Sequence, residues 1–336
     1  MCFQHCDKSS RIYRLILNQI YDDHYSKMNY RTRMIFFLFI FILEFCSSSS
    51  ESKSSYENDN RPICITDMDF NNIKTRIVGG QDADINSFRF AAGLLATPGM
   101  TGQIRTDSAI CGCTLITERH LLTAGHCLYN KQYLMSYMKV NIGDYDTRTD
   151  NEVKNYIRGI KSIYIHPKYI DEKFNNDICI LELDNPVPLN RSSDLRAAIL
   201  PPQDSSLSPG TVCTVWGWGR LSYKGERSHI LQSVKVPITS REECQKHLSH
   251  TINQNMICAG GEEGKDACLG DSGGSLLVQV ENRYVICGVV SFGKNCALPE
   301  VSGVYANVAR YTDWIIEMTK NADCKPRIYP EEKYPH

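Results

Sequence analysis

From Ile77 onward the sequence predicts an all-β fold, a sandwich or a barrel, from the spacing of its short apolar runs. Short β-rich runs at 90–95, 113–117, 157–165, 178–183, 211–216, 275–280 and 284–292 alternate with Gly, Pro, Asn and Asp clusters, as strands joined by turns do. The 15 cysteines among 336 residues avoid the paired C-x-x-C spacing of zinc sites and read as staples of a fold made in an oxidising, secretory compartment. A chain of this length has ample core for one large domain or two small ones. Its net charge of -1 gives no basis for nucleic acid or anionic lipid as a partner.

Residues 1–27 are mixed and polar. A basic lead at 28–33 meets an Ile/Phe/Leu run at 34–43, then Cys46 and a run of serines. This is the layout of a secretory signal peptide whose apolar run is short for a bilayer span. Translation is expected to start at Met28, with residues 1–46 removed and the product extracellular. The rival is an uncleaved anchor, which would add a membrane as partner. Residues 47–76 are Ser-, Asn- and charge-rich, end in Lys74-Thr75-Arg76 and read as a flexible propeptide. Their one cysteine, Cys64, is too few for a disulfide-stapled regulatory domain. The folded domain runs from 77 to 320. It closes on a helix, because Tyr311, Trp314, Ile315 and Met318 fall at i, i+3, i+4 and i+7. Residues 321–336 form a tail, polar and Pro-containing from 325, and are expected to fray.

The chemistry centres on DACLGDSGG at 266–274. Ser272 lies among glycines that allow a sharp turn and bring backbone N–H groups close to a substrate. A serine hydroxyl is a weak nucleophile and needs a base within reach. TAGHC at 123–127 offers His126, and NNDI at 175–178 offers Asp177 to orient and stabilise the imidazole. IVGG at 77–80 follows Arg76.

These four strings, in this order, resemble the trypsin/chymotrypsin family of serine endopeptidases, including its arthropod members, over Ile77 to about Lys320. The resemblance implies two six-stranded antiparallel β-barrels joined near Pro201 and Pro202, with the site in the cleft between them and a C-terminal helix. It implies catalysis by His126, Asp177 and Ser272 through an acyl-enzyme, with the N–H groups of Gly270 and Ser272 as oxyanion hole. Ser291 would support Asp177, and Phe292, where the family usually has Trp, would form an aromatic wall for substrate. Gly125, in place of the usual Ala, and Ser275, in place of the usual Pro, read as tolerated variation. Asp266 would floor the primary pocket between Gly293 and Gly303. It would select Arg over Lys, because Ala267 offers an ammonium no hydroxyl. Cleavage after Arg76 would free the Ile77 ammonium to pair with Asp271, making the chain a zymogen switched by a trypsin-like activator.

Three disulfides carry over from the resemblance: Cys111–Cys127, Cys244–Cys258 and Cys268–Cys296. Cys213 stands at a family bridge position whose usual partner position is Val278, and the expected substitute is Cys287 on the returning arm of that hairpin. Cys113 and Cys179 stand where small core residues are usual and can be buried free thiols. A Cys64–Cys324 bridge would tether the propeptide after activation. No cofactor is required, although Asp144, Asp146, Asp150 and Glu152 occupy the family's calcium loop with hard oxygen donors. Asn190-Arg191-Ser192 is a glycosylation sequon. Expected partners are protein or peptide substrates, the activator and protein inhibitors. The alternative reading is an inactive homologue that only binds partners.

Overall fold

The computed structural model describes residues 56–57, 59–66, 81–96, 109–149, 151–222, 225–263, 270–294 and 298–335. The chain divides into residues 1–60 and residues 61–336, and every strand below belongs to the second unit. The expectations for the signal region, for Arg76 and Ile77, for Asp150, for Asp266 and for Cys268 with Cys296 lie outside the described residues.

After a short β1 (Gln81–Asp82) come β2 (Ala91–Ala96), β3 (Cys111–Leu115), β4 (His120–Thr123), β5 (Met138–Ile142), β6 (Tyr156–Ile165) and β7 (Cys179–Leu183). They close into an antiparallel barrel in the order β2-β3-β4-β7-β6-β5. The second half holds β8 (Val212–Gly217), β9 (Gln232–Thr239), β10 (Met256–Gly260), β11 (Ser275–Val280), β12 (Arg283–Phe292) and β13 (Ser302–Asn307). Its sheet runs β9-β10-β13-β12-β11-β8, the β8–β9 pairing closes it, and β1 adds to the edge at β9. The choice between sandwich and barrel thus falls to two six-stranded antiparallel barrels. Closure removes the free edges that an open sheet would expose.

β3, β4 and β7 are buried at every position, because the second barrel, the interbarrel linker and the C-terminal helix cover what would be the outer face of a lone barrel. Phe90 packs on Trp216 across the join, with ring centroids 6.1–6.4 Å apart along Phe88, Phe90, Trp216 and Trp218. The barrels approach closely at Gly112, where a Cβ would stand 2.8 Å from Gly274 N. Only glycine allows that approach. The predicted closing helix is α2 (Thr312–Met318), with Ile315 buried. A shorter helix, α1 (Arg241–Lys246), was not anticipated and starts where the Ser240 side chain accepts from Glu243 N–H.

Two expectations are corrected here. The tail does not fray. Tyr329 and Tyr334 are 1% and 4% exposed, in the core of the second barrel. The tail backbone pairs with the linker, Leu200 N–H donating to Arg327 O and Tyr329 N–H to Leu200 O. Cys324 is bonded to Cys64, which ties residues 61–66 to the same surface, where Cys64 N–H donates to Lys325 O and Lys325 N–H to Pro62 O. Two tyrosines and a cysteine supply the anchoring that the polar composition concealed.

Cys213 and Cys287 are not bonded. They are buried thiols with sulfurs 3.7 Å apart. β8 and β12 each pair with β11, so the two cysteines lie two strands apart, roughly 9–10 Å between backbones. A disulfide needs Cα atoms within about 7 Å. Cys287 is also the extra residue of a bulge opposite Leu276 and Leu277, and its thiol donates to Leu276 O. Cys113 and Cys179 are likewise free and buried. Burial pushes the Cys113 thiol up to about 12 and the Cys179 thiol upward as well, so neither is a ready nucleophile.

Candidate active site

His126 lies in a single 3-10 turn, Gly125–Cys127, at the end of β4. The Cys111–Cys127 disulfide staples that turn to β3. Asp177 enters from the turn before β7 and meets His126 twice: its Oδ1 accepts the His126 backbone N–H and its Oδ2 faces Nδ1, both at 2.8 Å. The Ser291 hydroxyl donates to the same Oδ2 at 2.5 Å. The Asp177 side chain is 1% exposed, so these three donors replace its water shell. A carboxylate at Nδ1 holds the ring proton there, which leaves the lone pair of a neutral ring on Nε2. Ser291 reaches Asp177 because β12 carries an extra residue between the pairs Val290–Tyr305 and Phe292–Val304. Such a bulge re-aims a side chain without ending the strand.

Several partners of this corner were not foreseen. Phe174 and Asn176 hold positive φ, 49° and 53°, in the turn that delivers Asp177. Asn176 locks that turn: its amide donates to Lys168 O at 2.6 Å, and its carbonyl accepts from Asn255 at 2.9 Å and from the Tyr311 hydroxyl at 3.2 Å. Burial and the nearby Asp177 charge both push the Tyr311 phenol upward, so it remains a donor. Gly125 packs directly against the same corner. A methyl there would meet Asp177 Oδ1 at 3.2 Å and the Tyr169 ring at 3.3 Å.

Ser272 comes to the same corner through its backbone. Gly112 N–H donates to Ser272 O at 2.7 Å, while the Thr123 hydroxyl donates to Gly112 O at 2.8 Å. Gly270 and Gly273 take φ of 109° and 82°, values open to glycine alone at little cost. Cys127 Sγ sits between the two halves, 3.8 Å from His126 Nε2 and 3.9 Å from Ser272 O. Among the described residues no hydrogen bond joins the Ser272 hydroxyl to His126. Such bonds are often loose without substrate and tighten in the complex.

Asp271 points away from Ser272 into a cradle made by Gly217 and Gly219. Gly219 N–H donates to Asp271 Oδ1 at 2.8 Å. A Cβ on Gly219 would lie 2.6 Å from both Asp271 Cγ and Oδ2. Ser275 is more than a tolerated change: its hydroxyl accepts the buried Trp216 indole N–H at 2.8 Å. Leaving that donor unpaired would cost about 1–3 kcal/mol.

Beside the His–Asp pair, Phe174 stacks on Phe292 at 4.9 Å and meets the His126 ring edge-on at 5.9 Å. His250 closes the group, 5.1 Å from Phe292 and 5.7 Å from Phe174. Gly293 follows Phe292 on the surface, and Gly303 lies buried in β13 opposite Ala259.

Three of the four carboxylates expected in the calcium loop, Asp144, Asp146 and Glu152, are among the described residues. Both Asp146 oxygens are taken by Arg148, at 2.9 and 2.7 Å. Glu152 accepts the Asp146 N–H and the Thr149 hydroxyl. Asp144 turns inward to Asn141 and the Tyr145 N–H. Calcium takes six or more oxygens converging on one point, and these three carboxylates each face separate partners. Two groups of candidate metal ligands do converge among the described residues: Cys111, His126 and Cys127, and Cys64, Glu118 and Cys324. Both contain disulfide sulfurs, which lack the thiolate a metal binds. The third disulfide, Cys244–Cys258, ties α1 to β10. Asn190 is exposed, and its side-chain oxygen accepts from Ser192 N–H and hydroxyl at 3.0 and 2.7 Å.

The family model described as Trypsin matches residues 77–315. Serine protease filzig of Drosophila melanogaster is 36% identical over 253 residues, which is 73% of this chain and 14% of that protein. The chain therefore spans only a small part of the length of the curated relative it matches.

Proposed function

Because the chain belongs to the trypsin family of serine proteases, we propose that it is a secreted endopeptidase zymogen, activated by cleavage after Arg76 and cutting peptide bonds after Arg in preference to Lys. The observation that carries this reading is the buried Asp177, which holds His126 through two hydrogen bonds while Gly112 pins the Ser272 backbone alongside. In the proposed reaction Ser272 Oγ attacks the scissile carbonyl carbon and its proton passes to His126 Nε2. Asp177 steadies the imidazolium through Nδ1. The carbonyl oxygen, now negative, is received by the N–H groups of Gly270 and Ser272. Removing one such donor costs roughly a hundredfold to a thousandfold in rate. The proton then goes to the leaving amine, and water repeats the sequence to release the acyl group.

Asp266, as the pocket floor, would supply the preference for Arg. The glycine cradle supports the activation step, because it turns the Asp271 carboxylate away from Ser272 and holds it against the Gly219 N–H. The Cys64–Cys324 bond would then keep the cleaved pro-segment attached. Substrates, inhibitors and the activator would be proteins, the exposed Asn190 would accept a glycan, and no metal would be required.

The test is a rate assay on matched Arg, Lys and Phe peptides before and after limited trypsin treatment, with Ser272→Ala as control. Activity should appear on cleavage, favour Arg and vanish in the variant. A cleaved protein with Ile77 at its N-terminus that cuts none of the peptides would be a binding homologue instead.

A further inference from the structure

The half-buried Arg227 lies on the loop between β8 and β9, against the glycine expected to receive the substrate oxygen. A Cβ on Gly270 would meet the Arg227 guanidinium carbon at 3.3 Å and Nη2 at 3.5 Å. Arg227 Nη1 donates to the carbonyl of Ala109, just before β3. That bond fixes the side chain but does not neutralise it. Among the described residues no carboxylate pairs with Arg227, and Nε and Nη2 have no hydrogen-bond partner. A guanidinium that gives up part of its water without an anion is costly, and its free donors suit a carboxylate in a two-pronged arrangement.

Its position relative to the reacting bond follows from what flanks His126. On one side lie Phe174 and Phe292, followed by Gly293, the walls expected to hold the acyl part of the substrate. On the other lies Cys127 Sγ, 3.8 Å from Nε2, bonded to Cys111 two residues after Ala109. Arg227 completes this second flank, along which the amine half of the cleaved bond must depart.

We infer that Arg227 is a specificity-determining residue that binds an acidic side chain at the first or second position after the scissile bond. This rests on the proposed reading of Ser272 and Gly270 and extends it to the leaving-group side. The enzyme would thus be selective at both ends of the cut: a cationic residue before it and an anionic one after it. Such double selection narrows the set of proteins it can process. A charge-assisted hydrogen bond of this kind corresponds to about a tenfold or greater change in kcat/KM.

The experiment uses the activated full chain and quenched peptides that share one Arg-containing acyl half. They carry Asp, Ala or Lys at the first and, separately, the second position after the bond. The wild type should cut the Asp peptide about tenfold or more faster than the Lys peptide at one of these positions. Arg227→Gln should flatten that ratio, and Arg227→Glu should reverse it. Equal rates on Asp and Lys peptides in the wild type would overturn the inference. So would a uniform loss across all peptides in both variants, which would mean that Arg227 only supports the loop. A wild type that cuts none of the peptides would instead overturn the reading of the site itself.

Discussion

Asp177, delivered by the first barrel, is gripped by the His126 backbone and ring and by Ser291 from β12 of the second barrel, and the turn that carries it is locked by Asn176 against Asn255 and Tyr311 of the second half. In the second, the nucleophile loop at 270–274 is glycine-rich, takes positive φ at two positions, and is held by backbone bonds and by one acid in a glycine cradle. The His126–Asp177 corner is thus fixed by interlocking side chains from both barrels. The Ser272 loop is instead held through its backbone, with glycine at its two positions of positive φ. On the proposed zymogen reading, the glycine-rich loop is the part that a newly freed N-terminus would complete.

The sharpest way to break this comparison is at Asp177. Asp177→Asn keeps the shape but presents a donor to Nδ1, so the ring proton moves to Nε2 and the base is lost. The expected fall in kcat is on the order of 10⁴, with KM little changed. Steady-state kinetics on the activated variant checks this, and a loss below tenfold would mean that His126 does not depend on the pair.

A smaller but still large effect is expected in the other half. In Gly219→Ala the methyl would lie 2.6 Å from Asp271 Oδ2, so the acid must leave its cradle. Activity after cleavage should fall by on the order of a hundredfold, because the Gly270 donor goes with the loop. The His126 Nδ1 proton resonance should keep its position. If that resonance moves while activity survives, the two halves are not separable in the way described.

The last effect is on stability rather than rate and concerns acid. His120, on β4 beside the His126 turn, is buried, and burial brings its imidazole down to about 4 despite the opposing charge of Glu182. The folded chain therefore holds His120 neutral where the unfolded chain takes up a proton. Its contribution is whole above about pH 6.5 and is lost as pH falls toward 4, a change of about 3 kcal/mol. Urea titrations across that window should show stability falling with pH, and His120→Asn should remove that part of the slope. An unchanged slope would count against it.

The motif residues were legible because each sits in a short local string, and a nucleophile turn or a His turn is a local structure. The partners that make the site rigid were not. Asn176, Asn255 and Tyr311 meet only through the fold, and Ser275 reads as a mere loss of proline until Trp216 is packed against it. Arg227 carries no motif and becomes visible only when loops 109 and 270 come together. β4, four residues long, was too short to register as a periodic run. The Cys213–Cys287 pairing failed for a related reason. The hairpin was recognised, but the bulge at Cys287 and the intervening strand set the distance, and neither has a sequence signal.

The most direct measurement is the rate at which an Arg-like organophosphonate labels Ser272 in the intact chain and in the chain cut after Arg76. Slow labelling of the intact chain is expected, with stoichiometric labelling at least hundredfold faster after the cut and the His126 Nδ1 proton resonance present in both. Equal labelling of the two forms, or a cut chain that resists labelling, would contradict that expectation.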